Sequence, residues 1–311
     1  MIINNYINII VNSPSVKISV IIPTRNRRDK LIRCLNSISG NNAEIIVVDD
    51  AGTDGTKKAI EDYEHVKYLR NLRRKGPAFC RNCGARIAKG NILAFVDDDC
   101  ILSPGWINKI VREHEKFPEV AGIGGMTACL SDDKISTYFT KIAQYTICKN
   151  LASLDTEKTC TFLPSCNISY KRKVFDKLMF DECFTEASGE DIDFNLRLNE
   201  TGNRVIYDDS ILLFHEAPDS LMALFKKMYK YGKYVPLLKR KHPKIPLVVP
   251  NSFYGVIQFS VAPFLSIGKK LVHTKSIYSF VDELGYRLGI LAGMKIQNTY
   301  STTFKLRHRF I

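Results

Sequence analysis

The run Asn91-Ile-Leu-Ala-Phe-Val-Asp97-Asp98-Asp99 delivers three consecutive carboxylates at the end of an apolar stretch. Its β-branched and aromatic content predicts a buried strand of a parallel sheet. Ligands of open α/β sheets bind just beyond the carboxyl ends of such strands. Alternate residues of an extended chain share a face, so Asp97 and Asp99 point toward one site together. Neighbouring carboxylates repel, and a divalent cation relieves the repulsion. Mg2+ or Mn2+ held by one or two carboxylates completes its shell with phosphate oxygens. The plainer alternative is a solvated acidic corner between strand and loop. A second apolar run, Glu44 to Val48, ends in Asp49-Asp50. Two acid-tipped strands at one sheet edge would concentrate charge where a cation and phosphate meet.

Positioning those carboxylates requires strands that alternate with helices, and the pattern supplies them. Val16 to Ile22 predicts a strand ended by Pro23, and Leu31, Ile32, Leu35 and Ile38 recur at helical spacing within Arg27 to Ile38. Helices are expected near Lys57–Tyr63 and over Pro77–Lys89, with a short strand at Val66–Leu69 between them. This alternation predicts a mostly parallel, doubly wound α/β sheet. Beyond Pro104 the expected elements are a helix over Trp106–Lys116, an apolar Gly-rich run from Val120 to Met126 and a loosely helical stretch from Ser131 to Leu151. A helix then opens at Ser188-Gly-Glu190-Asp191 and runs to Glu200, followed by short strands at Arg204–Tyr207 and Ile211–His215.

The chain has 311 residues, 45% of them hydrophobic and 25% charged, which is the balance of a globular protein and excludes a disordered one. Its net charge of +13 is unevenly placed: from Glu216 onward 16 Lys/Arg face 4 Asp/Glu, so the front is nearly neutral. In that basic tail Leu221, Leu224, Phe225, Met228, Val235 and Leu238 share a helical face, with Lys226, Lys227, Lys230 and Lys233 between them. The pattern predicts a basic amphipathic surface for an anionic membrane. Residues 245–268 carry no charge, but Pro246, Pro250, Pro263, Asn251 and Gln258 oppose a clean span. The expectation is an interfacial or re-entrant segment, with a single span or a core hairpin as alternatives. Gly285, Gly289 and Gly293 are spaced for close helix packing. Nine cysteines show no framework spacing, and Cys80-x-x-Cys83 has no second pair to make a zinc site. Reduced thiols in a cytosolic setting are expected. Met1 to Val11 lacks the basic start and cleavage site of a signal peptide.

Taken in order, several motifs resemble those of a family 2 glycosyltransferase. They are Ile18-Ser-Val-Ile-Ile-Pro-Thr-Arg-Asn-Arg27, Ile45-Ile-Val-Val-Asp-Asp50 with Thr53-Asp-Gly-Thr56, Arg81-Asn-x-Gly84 and Asp97–Asp99. Asn167-Ile-Ser-Tyr170, Phe180-Asp-Glu182, Gly189-Glu-Asp-x-Asp-Phe-x-x-Arg197 and His215 continue the series. The resemblance covers residues 17 to about 216. It implies a GT-A fold, a nucleotide-diphospho-sugar donor, Mn2+ or Mg2+, and inversion at the anomeric carbon. It places Pro23, Thr24 and Arg25 along the nucleotide pocket, Asp49 or Asp50 on the base, and Arg81 near the base or diphosphate. Asp97 and Asp98 fall on the nucleotide side, as do Asn167 and Glu190. Asp99 would bind the metal, His215 would be a further metal or diphosphate contact, and Asp191 would be the catalytic base. The implied division is a leader (1–16), a nucleotide-sugar-binding half (17–100), an acceptor-binding and catalytic half (101–216) and a basic membrane-associated extension (217–311). The sequence departs from the family at Arg25, where many relatives carry Tyr, and at Lys177-Leu-Met-Phe-Asp181, which lacks the usual glycines.

The residue types suit that reaction. A cation stabilises charge that builds on a leaving diphosphate, and a one-step inversion needs one carboxylate to take the acceptor's proton. Near a helix N-terminus Asp191 is expected to be ionised. Acids in a helix's first turn also serve as plain caps, and Ser188-x-x-Asp191 fits a capping box. His215 equally suits a satisfied core histidine, Arg25 and Arg27 surface charge, and Asp193–Arg197 an intrahelical ion pair. The expected setting is the cytoplasmic face of a membrane, with a glycan or lipid-linked acceptor. A sugar-phosphate nucleotidyltransferase would want a Gly-rich basic loop after the first strand, where Pro23-Thr-Arg-Asn stands. An Asp-x-Asp phosphatase would want small residues after Asp99, where Cys100-Ile101 stands. A non-catalytic scaffold remains, as does a nucleic-acid binder, although no recognised nucleic-acid module is visible and no specific nucleic-acid partner is expected.

Overall fold

The computed structural model describes residues 18–38, 43–138, 163–245 and 277–307. Val/Ile-rich runs form β1 (Ile18–Thr24), β2 (Ala43–Asp49), β3 (Val66–Arg70) and β4 (Ile92–Val96). The segments between them form α1 (Arg28–Ser37), a short α2 (Thr56–Ala59) and α3 (Pro77–Ile87). Then come β5 (Cys100–Leu102), α4 (Trp106–Lys116), β6 (Gly122–Cys129), β7 (Asn167–Lys171), α5 (Glu190–Glu200) and β8 (Val205–His215). The helices α6 (Leu221–Lys233), α7 (Val235–Lys241) and α8 (Ile277–Arg307) follow.

All eight strands join one sheet in the order β3-β2-β1-β4-β7-β6-β8-β5. Its first four strands are parallel, as the alternation predicted. The other half is mixed: β7 runs antiparallel to both β4 and β6, β6 is parallel to β8, and β5 is antiparallel to β8. The sheet is therefore continuous across residue 100. Period-two alternation divides its core: Val20 and Ile22 pack with Leu31, Leu35 and Trp106 on one face. Ile21, Leu93 and Phe95 pack with Ala78, Phe194 and Leu198 on the other.

Local differences from the sequence reading have physical causes. Pro23 lies inside β1 rather than ending it, because the ladder with β4 has already stopped at Ile21 and an N–H is no longer needed there. The two short strands expected near 204–215 are the arms of β8, joined by a bulge where the pairing shifts opposite Gly125 and Met126. Gly189, in the left-handed region at φ +88°, caps α5 without any side-chain bond, so the capping-box reading of Ser188 fails. Ser188 instead donates to the Tyr231 carbonyl. Within Ser131–Leu151 residues 134–138 are helical, and the remainder from 139 lies outside the described residues. The leader and the uncharged segment beyond Ile245 also lie outside them. Among the described residues, no helix is long and apolar enough to cross a membrane.

The glycine spacing near the C-terminus does mark close packing. A Cβ on Gly289 would lie 2.0 Å from the Tyr229 carbonyl oxygen, one on Gly293 2.0 Å from that of Lys233, and one on Gly232 1.9 Å from that of Tyr286. Backbone meets backbone across α6 and α8, so neither helix can yield locally. Gly289→Ala is expected to force the pair apart at a cost of about 1–3 kcal/mol. A thermal melt of the full chain checks this, and an unchanged midpoint would refute the contact.

Candidate active site

The strands β1, β2 and β4 end at one edge, where Thr24 pairs with Asp49 and Val96 leads into Asp97. The carboxylates there divide into three groups. Asp49 and Asp50 serve the loops. Asp49 accepts from the Gly52 N–H at 2.7 Å and the Tyr68 hydroxyl at 2.6 Å. Asp50 accepts from Asn71 and from the Lys75 and Gly76 N–H groups, each at 2.8 Å. Both are buried, and their oxygens hold the loops that follow β2 and β3.

The second group is a chain of ion pairs. Arg81 on α3 reaches Asp97 with Nη2 and Glu190 with Nη1, both at 2.8 Å. Only 1% of its side chain is exposed. Arg81 is therefore a buried strut between the tip of β4 and the start of α5, not the base or diphosphate contact expected of it. Burial opposes ionisation of Asp97, but Arg81, His215 and Arg27 outweigh it and hold the carboxyl below its ordinary range. Glu190 goes the other way: burial and the neighbouring Asp191 push it up to about 7 against the pull of Arg81. On the same strut helix, Asn82 grips both backbone groups of Phe180 at 2.9 Å and ties the loop without glycines to α3.

Asp191 follows Glu190 and stays half-buried, accepting the Ser165 N–H at 3.1 Å and its neighbour Ile192 N–H at 2.9 Å. Burial raises its proton affinity, supported by the charge of Asp97, against those N–H groups and Arg81. The helix terminus was expected to favour the ionised form. Burial outweighs it, which makes Asp191 a stronger proton acceptor.

The third group could hold a cation. Asp98 accepts from the Thr24 hydroxyl at 2.8 Å and from Arg27 at 2.9 Å, and burial pushes it up to about 6. Asp99 meets the same Arg27 nitrogen at 3.0 Å through Oδ2. Its Oδ1 is buried without a hydrogen-bond partner and lies 3.3 Å from His215 Nε2. The antiparallel pairing of Cys100 with His215 brings that histidine across from β4's acidic tip. His215 Nδ1 sits 2.6 Å from the Glu216 carbonyl, which can only accept, so Nδ1 carries a proton and Nε2 is the ring nitrogen turned to Asp99. With Nε2 unprotonated, that nitrogen and Asp99 Oδ1 could ligate a divalent ion together. The Cys100 thiol lies within the same cluster. Burial and the adjacent Cys166 keep it well above the ordinary thiol range, which leaves a carboxylate and an imidazole for a Mn2+- or Mg2+-like ion.

Other expected residues lie elsewhere. Asn167 is 1% exposed and uses its whole amide internally: it accepts from the Trp106 indole and donates to the Met126 and Ile211 carbonyls. It ties β7 to β6, β8 and α4, with its amide fully engaged. Pro23 is half-buried at the pocket edge, and Arg25 is exposed.

The sequence reading missed the cover of the site. Leu224, Lys227, Tyr231 and Tyr234 fall on one stripe of α6–α7, and the Tyr234 hydroxyl meets Thr185 at 3.0 Å. Lys227 lies within electrostatic reach of Asp99 and Asp97, Lys230 of Glu190 and Asp97, and Tyr231 of Asp191 and Asp97. Burial lowers both lysines against the attraction of Asp99 and Glu190 respectively. Lys233 pairs with Glu186 at 2.9 Å. Of the four lysines assigned to a membrane face, only Lys226 is exposed.

A parallel α/β half with acid-tipped strands, continued by a mixed half in one sheet, fits a nucleotide-sugar transferase fold of the GT-A type. A mannosyltransferase from Pyrobaculum calidifontis, solved with GDP-Man and Mn2+, shares that fold. It has a TM-score of 0.64 over 89% of this chain and 87% of that chain, at 16% identity. Residues 19–179, just over half of the sequence, match glycosyl transferase family 2, and the chain belongs to that family. The pre-mycofactocin glycosyltransferase of Mycobacterium tuberculosis is 28% identical over 243 residues, which cover 75% of this chain and 50% of that protein. The chain thus spans about half the length of that relative. A Methanococcus voltae relative, named as a dolichyl N-acetyl-glucosaminyl phosphate diacetamido-dideoxy-glucuronosyltransferase, is 24% identical over 242 residues. The match covers 72% of this chain and 74% of that protein.

Proposed function

We propose that the chain moves a sugar from a nucleotide-diphospho-sugar to a hydroxyl of a lipid-linked or surface-glycan acceptor, with inversion. The Asp97–Arg81–Glu190 strut carries this reading. It ties the helix bearing Asp191 to the carboxylate tip of β4, which supports a proton acceptor and a cation site acting on one substrate. Thr24 and Asp98 line the donor side. Asp191 takes the acceptor's proton as its oxygen attacks the anomeric carbon, and the nucleoside diphosphate departs from the opposite face. A divalent ion on Asp99 and His215 would neutralise the charge of the departing diphosphate. Lys227 and Lys230 add positive charge over the same subsite.

The test is thermal shift of the full chain with UDP-, GDP- and dTDP-sugars, with and without Mn2+ or Mg2+. One donor is expected to raise the midpoint only with metal. Asp99→Asn should abolish that shift while melting normally without metal. Absence of a shift for every donor would overturn the reading.

A lipid-linked acceptor would bring the protein to the cytoplasmic face of a membrane. Exposed Leu221, Met222 and Tyr229 on α6 and Ile277 and Leu288 on α8 supply an apolar surface for that contact. Co-sedimentation of the full chain with anionic vesicles should exceed that with neutral ones. Equal, background-level pelleting would remove the membrane from the proposal.

A further inference from the structure

Arg27 stands at the start of α1 as its cap residue, its own carbonyl accepting the Leu31 N–H at 2.9 Å. One guanidinium nitrogen, Nη1, bridges two successive carboxylates, at 2.9 Å from Asp98 Oδ1 and 3.0 Å from Asp99 Oδ2. Asp99 Oδ2 shares its carboxylate with the orphaned Oδ1, which lies 3.3 Å from His215 Nε2, so the arginine and a divalent ion would draw on the same negative charge. The two arginines of the cleft differ in freedom. Arg81 is itself sealed, 1% exposed, between Asp97 and the buried Glu190, whereas 47% of the Arg27 side chain is exposed and it hangs from a fixed backbone. Asp98 keeps its Thr24 hydrogen bond if Arg27 leaves, so the pocket wall does not depend on the arginine.

We infer that Arg27 is a resident counter-cation of the Asp98–Asp99 pair, exchanged at Asp99 for the divalent ion when the donor arrives. Resting on Nη1, it suppresses metal binding to the empty cleft. When metal and nucleoside diphosphate enter together, the guanidinium turns from Asp98 and Asp99 to the diphosphate oxygens, which it can meet through paired N–H groups. Metal and nucleotide then bind with positive coupling, each improving the affinity of the other by one factor. This inference rests on the proposed donor and metal site and deepens it by naming the residue that sets the order of binding.

The experiment is a Mn2+ titration of the full chain followed by the EPR signal of free Mn2+, with and without the nucleoside diphosphate of whichever donor gives the thermal shift. Wild type is compared with Arg27→Met and Arg27→Lys. Arg27→Met should bind Mn2+ about fivefold more tightly than wild type without nucleotide, the scale of a half-exposed ion pair. It should also lose most of the enhancement that nucleotide gives wild type. Arg27→Lys should retain part of both effects. Unchanged or weaker Mn2+ binding by a normally melting Arg27→Met would overturn the role of Arg27 and leave the donor site standing. If wild type binds no Mn2+ under either condition, the metal site fails and this inference with it.

Discussion

Asp191→Asn is expected to lower kcat by about 10²–10⁴-fold while leaving the metal-dependent thermal shift by the donor intact. General-base catalysis contributes on that scale, and the amide keeps the side chain's shape but cannot take a proton. Among the described residues Asp191 accepts two N–H bonds, from Ser165 and Ile192, and joins none of the cleft's ion pairs, so the change leaves those pairs in place. The pH profile separates a base from a residue that merely shapes the site. Burial raises the proton affinity of Asp191, so activity should climb with pH as that carboxyl ionises, starting above the ordinary carboxylate range. The limb should vanish in the residual activity of Asp191→Asn. A variant with near-normal kcat, or one with the acid limb unchanged, would move the base elsewhere in the cleft.

The largest stability effect is expected at Asp193, two residues further along α5. This carboxylate is fully buried. It meets Arg197 at 2.7 Å, Lys241 at 2.6 Å and His242 Nε2 at 3.0 Å. Lys241 also pairs with Asp181. The cluster therefore binds α7 to the helix that carries Asp191. Asp193→Ala leaves three basic side chains without their shared counter-charge, and breaking such buried pairs costs about 3–5 kcal/mol. Urea unfolding of the full chain measures that loss, with a drop below about 1 kcal/mol counting against the network. Since α7 continues from α6, the donor's thermal shift should weaken too, as Lys227 and Tyr231 lose their fixed position over the carboxylates. Lys241→Met removes one arm only and should cost less.

The intrahelical half of this network was legible, because Asp193 and Arg197 sit four apart on a strongly patterned helix. Its other half was not. Lys241 and His242 lie nearly fifty residues away, and only tertiary packing brings them to Asp193. The same limit explains Asn167, which stands in a motif of the family yet braces three elements of the core. Motif position identifies the residue but not the direction of its amide. Arg27 shows the converse. Its spacing beyond the first strand is ordinary, but the parallel pairing of β1 with β4 sets it over Asp98 and Asp99.

Strand composition and acid-tipped strand ends determined a parallel α/β half with its ligand edge, because buried parallel strands must be apolar throughout and must stop where charge begins. Ordered motifs determined the family, and glycine spacing marked the α6–α8 contact. The tertiary structure decided the antiparallel entry of β7, which places His215 through β8 and β5 opposite Asp99. It also decided which side of α6 faces inward. An amphipathic period specifies that a helix has two faces, but the lysines between its apolar positions suit a lipid surface and a carboxylate cluster equally well. The carboxylates that draw Lys227 and Lys230 inward come from β4 and α5, distant in sequence, so the choice is made only when the sheet assembles.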